Sequence, residues 1–287
     1  MQNLNAENRY VYTIYGFHFT REFEVLGLKF YPLFSEYEVA KSAARSLDSY
    51  CVTGYIFSEK LSREQIFDLQ AVLSFIEHID VRISSGILLK EPTVGRPEFD
   101  LTPFPGPRFS GGGAVISTDN FCRNSRKEFI ALALPMLLEN SSRQSKFRLL
   151  FFKKIETFRR QPFIEITYFL LFSGLESYSR YSIPENNFRS ASEAIYKVMK
   201  GYGFNVFQDK ATDLRRSIAT YAHIRNALFH EGELVKTLNV NGGKIKIDSA
   251  NYLFSFSMLV SLLVMKIVKF DDGHTNWDCW IDRQLYK

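Results

Sequence analysis

The sequence has few cysteines and no long apolar run, and these absences exclude several classes of protein. Its three cysteines are far apart and form no Cys-x-x-Cys pair (Cys51, Cys122 and Cys279), which argues against a disulfide framework and against a structural zinc site. The chain begins with a polar stretch, MQNLNAENR, instead of the apolar segment of a secretory signal. The longest apolar stretch, 252–265, is shorter than the roughly 20 residues that cross a bilayer. We therefore expect a cytoplasmic protein that does not enter a membrane and whose segment 252–265 is a buried helix.

Patterns for nucleotides and metal ions are also missing. The glycines at 111–113 are not followed by the Gly-Lys-Ser/Thr of a phosphate-binding loop, so we interpret them as part of a linker. His274 lies near several acidic residues, but their spacing fits no established metal site. The sequence predicts neither a metal ion nor another cofactor.

Length, aromatic content and charge describe what is present. With 287 residues, 46% of them hydrophobic, and with 27 Phe beside 15 Tyr, the chain can bury a sizeable core. Two domains are expected at this length, with one large domain as the alternative. Residues 1–140 contain 14 Lys and Arg against 17 Asp and Glu, whereas residues 141–287 contain 22 against 14. The second half is therefore basic, and it is the place to look for an anionic partner such as RNA.

Residues 1–115 are predicted to form an α+β domain. Strands are favoured in four segments dense in aromatic and β-branched residues: 10–19, 23–33, 50–57 and 81–89. Ser62 and Gln65 have the spacing of a capping box before a helix-period apolar stripe. Five of the nine prolines and the triple glycine fall within 91–113. We interpret that segment as a linker and place the domain border near residue 115.

Residues 116–287 are predicted to form an all-α domain. Apolar periodicity and Pro and Gly punctuation predict six helices: 126–140, bent or broken at Pro135, then 144–159, 162–180, 189–200, 211–230 and 249–269. Segment 162–175 is apolar nearly all round, which is typical of the central helix of a bundle. We expect the other helices to pack around it.

The fifth predicted helix, 211–230, has two faces of different chemistry. Arg225 falls in the middle of an apolar stripe made of Leu214, Ile218, Tyr221, Leu228 and Phe229. A guanidinium in such a stripe requires a carboxylate or a phosphate as its partner. The opposite face brings together two imidazoles and an amide, those of His223, Asn226 and His230.

Arg225, Asn226 and His230 form the pattern R-N-x-x-x-H, and here the sequence resembles the HEPN domains, most of all their Apea-like group. The resemblance covers residues 145–270. It implies a four-helix up-and-down bundle, a homodimer in which the motif helices face each other, and metal-independent endoribonuclease activity. It also implies catalytic roles for the three motif residues and a supporting role for Glu176, which would hold Arg225. His223 lies outside the motif and is retained as a further supporting residue.

The resemblance also suggests a biological role, since Apea-like HEPN proteins often belong to prokaryotic conflict systems. The expected protein is a toxin or antiviral defence effector whose α+β domain controls or targets the helical nuclease. A regulatory protein or antitoxin would then be a partner in addition to RNA.

The types of the motif residues suit RNA cleavage without a metal ion. The imidazole of His230 can move the 2′-hydroxyl proton near neutral pH. Arg225 can hold phosphate oxygens and stabilise the charge that develops on them, and Asn226 would orient His230 or a phosphate. Attack by the 2′-hydroxyl would leave a 2′,3′-cyclic phosphate and a 5′-hydroxyl.

A basic segment precedes the predicted central helix. Seven basic side chains interleave there with phenylalanines: Arg143, Lys146, Arg148, Lys153, Lys154, Arg159 and Arg160. One interpretation is a phosphate-binding track beside the motif, and the other is an ordinary amphipathic helix with a solvated basic face. The phenylalanines are expected in the core.

Two alternatives to the nuclease stay open. A HEPN dimer can hold RNA or a protein partner without cleaving, as non-catalytic members of the superfamily do. The other alternative is a structural helical domain with an accidental motif, since an arginine followed a few residues later by a histidine is a permissive pattern.

Overall fold

The computed structural model describes residues 10–89, 101–111, 115–140, 145–159, 163–183, 188–240 and 243–287. The chain divides into two compact units, Met1–Leu138 and Glu139–Lys287. The first is rich in strands and the second is mainly helical. The predicted mixed α and β composition, with strands first and helices after them, is therefore confirmed.

Among its described residues, the first unit contains short strands and three helices. In chain order its elements are β1 (Tyr10–Tyr15), β2 (Phe23–Val25), β3 (Leu28–Pro32), α1 (Tyr37–Ala44), β4 (Ser49–Tyr50), β5 (Val52–Ser58), α2 (Arg63–Glu77), β6 (Arg82–Ile83), β7 (Ile87–Leu88), β8 (Phe104–Pro105) and α3 (Ser125–Glu139).

An antiparallel sheet forms the centre of this unit. Its strand order is β2-β3-β5-β1-β6, and β7 also pairs with β1. In the central pair, Tyr12 lies opposite Ile56, and both are buried. The interior residues of β1 are buried on both faces of the strand, as is expected of a central strand that is covered on each side.

Helix α2 begins and packs as its sequence predicts. The Ser62 hydroxyl accepts a hydrogen bond from the Gln65 amide at 3.1 Å, and the Gln65 side chain accepts one from the Ser62 amide at 2.8 Å. This reciprocal pair confirms the predicted capping box, which satisfies two amides that the helix itself cannot. Of the five residues of the predicted apolar stripe, Ile66 is half-buried and the other four are buried: Leu69, Val72, Leu73 and Ile76.

Helix α3 belongs to the first unit. Arg126 forms a buried ion pair with Glu77 at the end of α2, and the ring of Phe129 stacks on that of Phe75 with 5.2 Å between centroids. The predicted border at residue 115 consequently falls inside the first compact unit. The helix also continues through Pro135, so it is not broken there.

The second unit contains five helices of eight residues or more among its described residues, together with a hairpin that the sequence analysis did not predict. Its elements are α4 (Lys146–Arg159), α5 (Ile164–Ser182), α6 (Ala191–Gly201), α7 (Ile218–Asn226), β9 (Val235–Val240), β10 (Gly243–Asp248), α8 (Ser249–Ile267) and α9 (Cys279–Asp282). Strands β9 and β10 pair antiparallel. The expectation of an all-α domain was therefore wrong.

Helix α5 occupies the centre of the second unit, and α4, α6, α7 and α8 all contact it. Its buried face carries Tyr168, Leu171, Phe172 and Leu175. Helix α8 contains the predicted buried segment 252–265. Its length and composition would allow it to cross a membrane, but 61% of its most apolar window is buried within the structure, as in the core helix of a globular unit.

The fifth helix begins later than the sequence predicts. Residues 211–217 form turns, and α7 begins only at Ile218. The Arg216 carbonyl accepts a hydrogen bond from the Phe207 amide, and the Phe207 carbonyl accepts one from the Ile218 amide, each at 2.9 Å. These bonds to a preceding loop replace the helical bonds that the apolar periodicity predicted.

Candidate functional site

The motif residues lie where α7 changes its helical geometry. Arg225 and Asn226 end the α-helix, and residues Ala227–Glu231 continue it as one π-helical turn that contains His230. Gly232 ends the turn with a φ of 69°, a left-handed conformation that suits glycine. Single π-helical turns inserted in helices often occur at functional sites.

The π turn changes which side chains share a face. Its hydrogen bonds run from residue i to i+5, so each residue advances less around the axis than in an α-helix. The predicted alignment of His223, Asn226 and His230 assumed α-helical spacing throughout, and that spacing does not continue past Asn226. The three side chains are nevertheless all exposed.

Arg225 is held by three neighbours. Its Nη2 lies 3.9 Å from Oε2 of Glu176 on α5, its Nη1 donates to Oδ1 of Asn226 at 2.8 Å, and its guanidinium carbon lies 5.2 Å from the ring centroid of Phe172. Glu176 also accepts a hydrogen bond from Arg180 at 2.9 Å. The structure thus brings together the arginine and the glutamate that the sequence analysis paired.

Arg225 is less buried than its place in the apolar stripe suggested. Its side chain is 34% exposed, and that of Glu176 is 22% exposed. Leu214 precedes the helix and is half-buried, and Phe229 is exposed, whereas Ile218, Tyr221 and Leu228 are buried. The guanidinium therefore lies at the edge of the core, where its remaining N–H groups reach solvent and could bind a phosphate.

Because the ion pair is partly solvated, replacing Arg225 should cost little stability. We expect Arg225→Ala to lower the free energy of unfolding by about 1 kcal/mol, from a partly exposed ion pair and a cation–π contact. Urea unfolding followed by tryptophan fluorescence measures this. Arg180→Ala removes the other arginine on Glu176 and is the matched control, with a loss below about 0.5 kcal/mol expected. A loss above about 3 kcal/mol for Arg225→Ala would instead indicate a buried structural ion.

The two histidines of this segment face solvent. Neither His223 nor His230 makes a side-chain hydrogen bond to another described residue. Within one chain, His230 therefore has no described partner that orients its imidazole. The preceding residue, Phe229, is 43% exposed, and its ring contacts that of Phe169 on α5 with 5.1 Å between centroids.

The basic residues of α4 do not form one solvated face. Arg143 and Arg160 lie outside the described residues. Among the others, four are half-buried: Lys146, Arg148, Lys153 and Arg159. Arg148 lies over the ring of Phe152 at 4.8 Å, and Arg159 pairs with Glu156 at 3.4 Å. Three of the interleaved phenylalanines are core residues, as expected: Phe147, Phe151 and Phe158.

Lys154 does not belong to the predicted RNA-binding track. Its side chain is fully buried, and its Nζ donates to the Ser257 hydroxyl of α8 at 2.6 Å. Burial lowers the pKa of this amine to about 7, because an apolar environment disfavours the charged form. Lys154 is thus a core residue that cannot reach a phosphate on the surface.

Lys153 of α4 lies near the aromatic ring that contacts the motif turn. Its Nζ donates to the Ser173 hydroxyl at 2.8 Å and lies 5.8 Å from the centroid of Phe169, the ring that contacts Phe229. Burial, and to a smaller extent the nearby Lys146, lower the pKa of Lys153. A cation therefore lies on the side of α5 that also carries the aromatic contact to the motif turn.

The described residues offer no ready metal site. Among them, no group of three or more His, Cys, Asp or Glu side chains is placed to hold a metal ion. The motif residues themselves carry a guanidinium, an amide and an imidazole.

Besides the π turn, the sequence analysis did not predict the hairpin β9–β10 in this region. It begins five residues after His230, and its outward face carries Lys244 and Lys246. The signal was present, because apolar and polar residues alternate on either side of an Asn-Gly pair in KTLNVNGGKIKID.

Comparisons of the chain with protein-family models, with curated proteins and with solved structures found no significant match.

Proposed function

We propose that the protein is a metal-independent endoribonuclease of the HEPN type, with Arg225, Asn226 and His230 as its catalytic residues. The observation that carries the proposal is the placement of Arg225. Its guanidinium is held by Glu176 and Asn226 at the rim of the core, and the exposed His230 follows in the adjacent turn.

The proposed reaction balances without a metal ion or cofactor. His230 removes the proton of a ribose 2′-hydroxyl, and the 2′-oxygen forms a bond to the adjacent phosphorus. The bond from phosphorus to the 5′-oxygen breaks, and that oxygen takes up a proton from an acid. Arg225 stabilises the charge on the phosphate oxygens as it develops.

A second copy of the chain would complete the site. A homodimer that pairs the motif segments would supply the acid from the partner's His230, which accords with the lack of an orienting neighbour within the described part of one chain. Exposed apolar side chains just before α5, on α5 and on the motif turn accord with such contact: Phe163, Ile166, Phe169 and Phe229. Light scattering of the purified protein measures its mass and so tests the dimer.

The proposal is tested by incubating the purified full chain with labelled total RNA in EDTA. We expect discrete fragments that carry 2′,3′-cyclic phosphate and 5′-hydroxyl ends, identified by end-group chemistry. The sizes of the expected fragments would also show which class of RNA is cut. Fragments with 5′-phosphate ends, or cleavage that stops when EDTA is added, would contradict the mechanism.

A binding module without catalysis is the second candidate. It is favoured by the absence of an orienting hydrogen bond to His230 among the described residues. In that case the same surface would hold RNA or a protein partner without cutting, and the incubation would leave RNA intact although it binds.

The wider role follows the same proposal. We infer a toxin or antiviral defence effector in the cytoplasm, in which the strand-rich first unit controls or targets the nuclease. A regulatory protein or antitoxin would be a further partner.

A further inference from the structure

We propose that the hairpin β9–β10 is an RNA-binding ribbon, whose outward face holds the phosphate backbone of the substrate through Lys244 and Lys246. This inference rests on the proposed function for its choice of partner. It assigns a substrate-contact role to an element that lies outside the motif.

The hairpin has two faces of opposite character. Register pairs Lys244 with Asn239 and Lys246 with Thr237, and residues that lie opposite each other in a ladder share a face. All four of these side chains are exposed. On the other face, Ile247 is buried, and Leu238 and Ile245 are half-buried. The apolar face therefore packs against the protein, and the polar face is turned to solvent.

The outward face is basic, and its lysine ammonium groups are available to bind an anion. Residues 237–246 include two lysines and no acidic residue. Neither lysine forms an ion pair with another described residue, whereas Lys236 on the other face pairs with Glu231. Side chains two residues apart on a strand are separated by roughly 7 Å, which is comparable to the spacing of neighbouring phosphates. Thr237 and Asn239 add the hydrogen-bonding groups that commonly contact phosphate oxygens.

The base of the hairpin is attached directly to the motif segment. The Glu233 amide donates to the Ala227 carbonyl at 3.1 Å, and the Ser249 amide donates to the Leu234 carbonyl at 2.9 Å. The ion pair of Lys236 with Glu231 joins β9 to the residue after His230, and β9 also contacts α7. A strand of RNA whose phosphate lies at Arg225 and His230 would therefore have the ribbon beside it.

Acidic side chains near the hairpin do not oppose this role. Glu231 is paired with Lys236, and Asp248 caps α8 by accepting a hydrogen bond from the Ala250 amide at 2.9 Å. Glu233 is exposed and lies at the base, on the side of the motif. The outer part of the ribbon thus keeps its positive charge, which is the requirement for backbone binding that does not depend on sequence.

The test measures binding apart from cleavage. A fluorescent single-stranded RNA with 2′-O-methyl groups cannot be cut by 2′-hydroxyl attack, and its anisotropy with the full chain in EDTA is followed over a range of salt concentrations. We expect the double variant Lys244→Gln, Lys246→Gln to bind roughly ten- to thirtyfold more weakly at 0.1 M salt, with a salt slope smaller by about 1.4.

Matched variants distinguish the effect of the two ribbon lysines on RNA affinity from the effect of the net charge of the protein. Lys200→Gln with Lys287→Gln removes the same net charge from exposed positions elsewhere in the second unit, and its affinity should equal that of the wild type. The double variant Lys244→Arg, Lys246→Arg keeps both charges and should bind RNA as tightly as the wild type. Melting curves of all variants should coincide, because the substituted side chains are exposed.

The possible results distinguish this inference from the proposed nuclease. Equal affinity and salt slope in the Lys244 and Lys246 double variant and the wild type would overturn the ribbon, as would a wild type that does not bind the RNA. If the ribbon instead captures polyglutamate but not RNA, the inference is overturned in favour of an acidic protein partner. Binding that depends on the ribbon, without cleavage of ordinary RNA, would support the ribbon and refute the nuclease.

Discussion

Replacing His230 by alanine is expected to abolish RNA cleavage and to leave RNA binding unchanged. A positioned acid or base contributes about 10²–10⁴ to a rate, and both proton transfers in the proposed dimer depend on this residue. The side chain is exposed and has no hydrogen bond to another described residue, so its removal should not alter the fold. The rate of fragment formation in EDTA and the affinity for 2′-O-methyl RNA are the two measurements.

His223→Ala is the matched control for this prediction. It removes another exposed imidazole from the same helix, but one that lies before the π turn and outside the motif. A much smaller loss of rate is expected. If His230→Ala cleaves as fast as the wild type in a preparation free of other nucleases, His230 is not catalytic. An equal loss in both variants would indicate that the helix, and not one imidazole, is required.

The sequence predicted those parts of the second unit that depend on regular periodicity. Helices α4, α5 and α8 lie within the predicted segments or extend only slightly beyond them, because a continuous apolar stripe determines where a helix can be buried. The pairing of Arg225 with Glu176 was expected from the resemblance to the HEPN domains, whereas the residues alone indicated only that Arg225 needs a carboxylate or a phosphate. The positions of the helices follow from local pattern.

What the sequence did not predict depends on contacts between distant residues or on a local change of geometry. The π turn at Ala227–Glu231 has no established sequence signal, and it alters the face on which His230 lies. Apolar periodicity predicts a helix over residues 211–217, but Arg216 and Ile218 bond to Phe207 in a preceding loop. A helical pattern does not reveal such contacts between separate segments. The sequence of the hairpin does alternate between apolar and polar residues, but this pattern is short and lies between two strongly helical segments.

Lys154 shows how charge counts along the chain mislead. The residue is four positions from Leu150 and from Phe158, so a helical wheel places it on the buried stripe of α4. Counted with its basic neighbours, it is one of the seven residues expected either on a phosphate-binding track or on a solvated basic face. In the structure it is fully buried against α8, and this position has a consequence for stability that can be measured.

Replacing Lys154 by methionine is expected to stabilise the second unit at neutral and acidic pH. The amine has a pKa of about 7 in the folded protein, against 10.5 for an ordinary lysine. Each pKa unit corresponds to about 1.4 kcal/mol, so a charged Lys154 costs the folded state on the order of 3–5 kcal/mol. Methionine has a similar length and no charge, and Ser257 is only half-buried, so its hydroxyl can bond to water.

The pH dependence of this stabilisation has a definite sign. Between pH 7 and 10.5 the unfolded chain binds the proton that the folded chain has released, so the free energy of unfolding of the wild type rises with pH in that interval. Lys154→Met lacks this titration. The advantage of the variant should therefore be full at pH 6 and should decrease steadily towards pH 10.

Urea unfolding at pH 6, 8 and 9.5 measures the difference between the two proteins. Both tryptophans of the sequence, Trp277 and Trp280, lie in the second unit, so their fluorescence follows the unfolding of the part that contains Lys154. Lys200→Met is the control, because it makes the same substitution at an exposed position of α6 and should change stability by less than about 0.5 kcal/mol at each pH. A Lys154→Met protein that is no more stable than the wild type at pH 6, or whose advantage is the same at every pH, would show that the amine is not buried in its charged form.

The result bears on the RNA site as well. A stabilised Lys154→Met variant that still binds RNA would confirm that this lysine belongs to the core and not to the substrate surface.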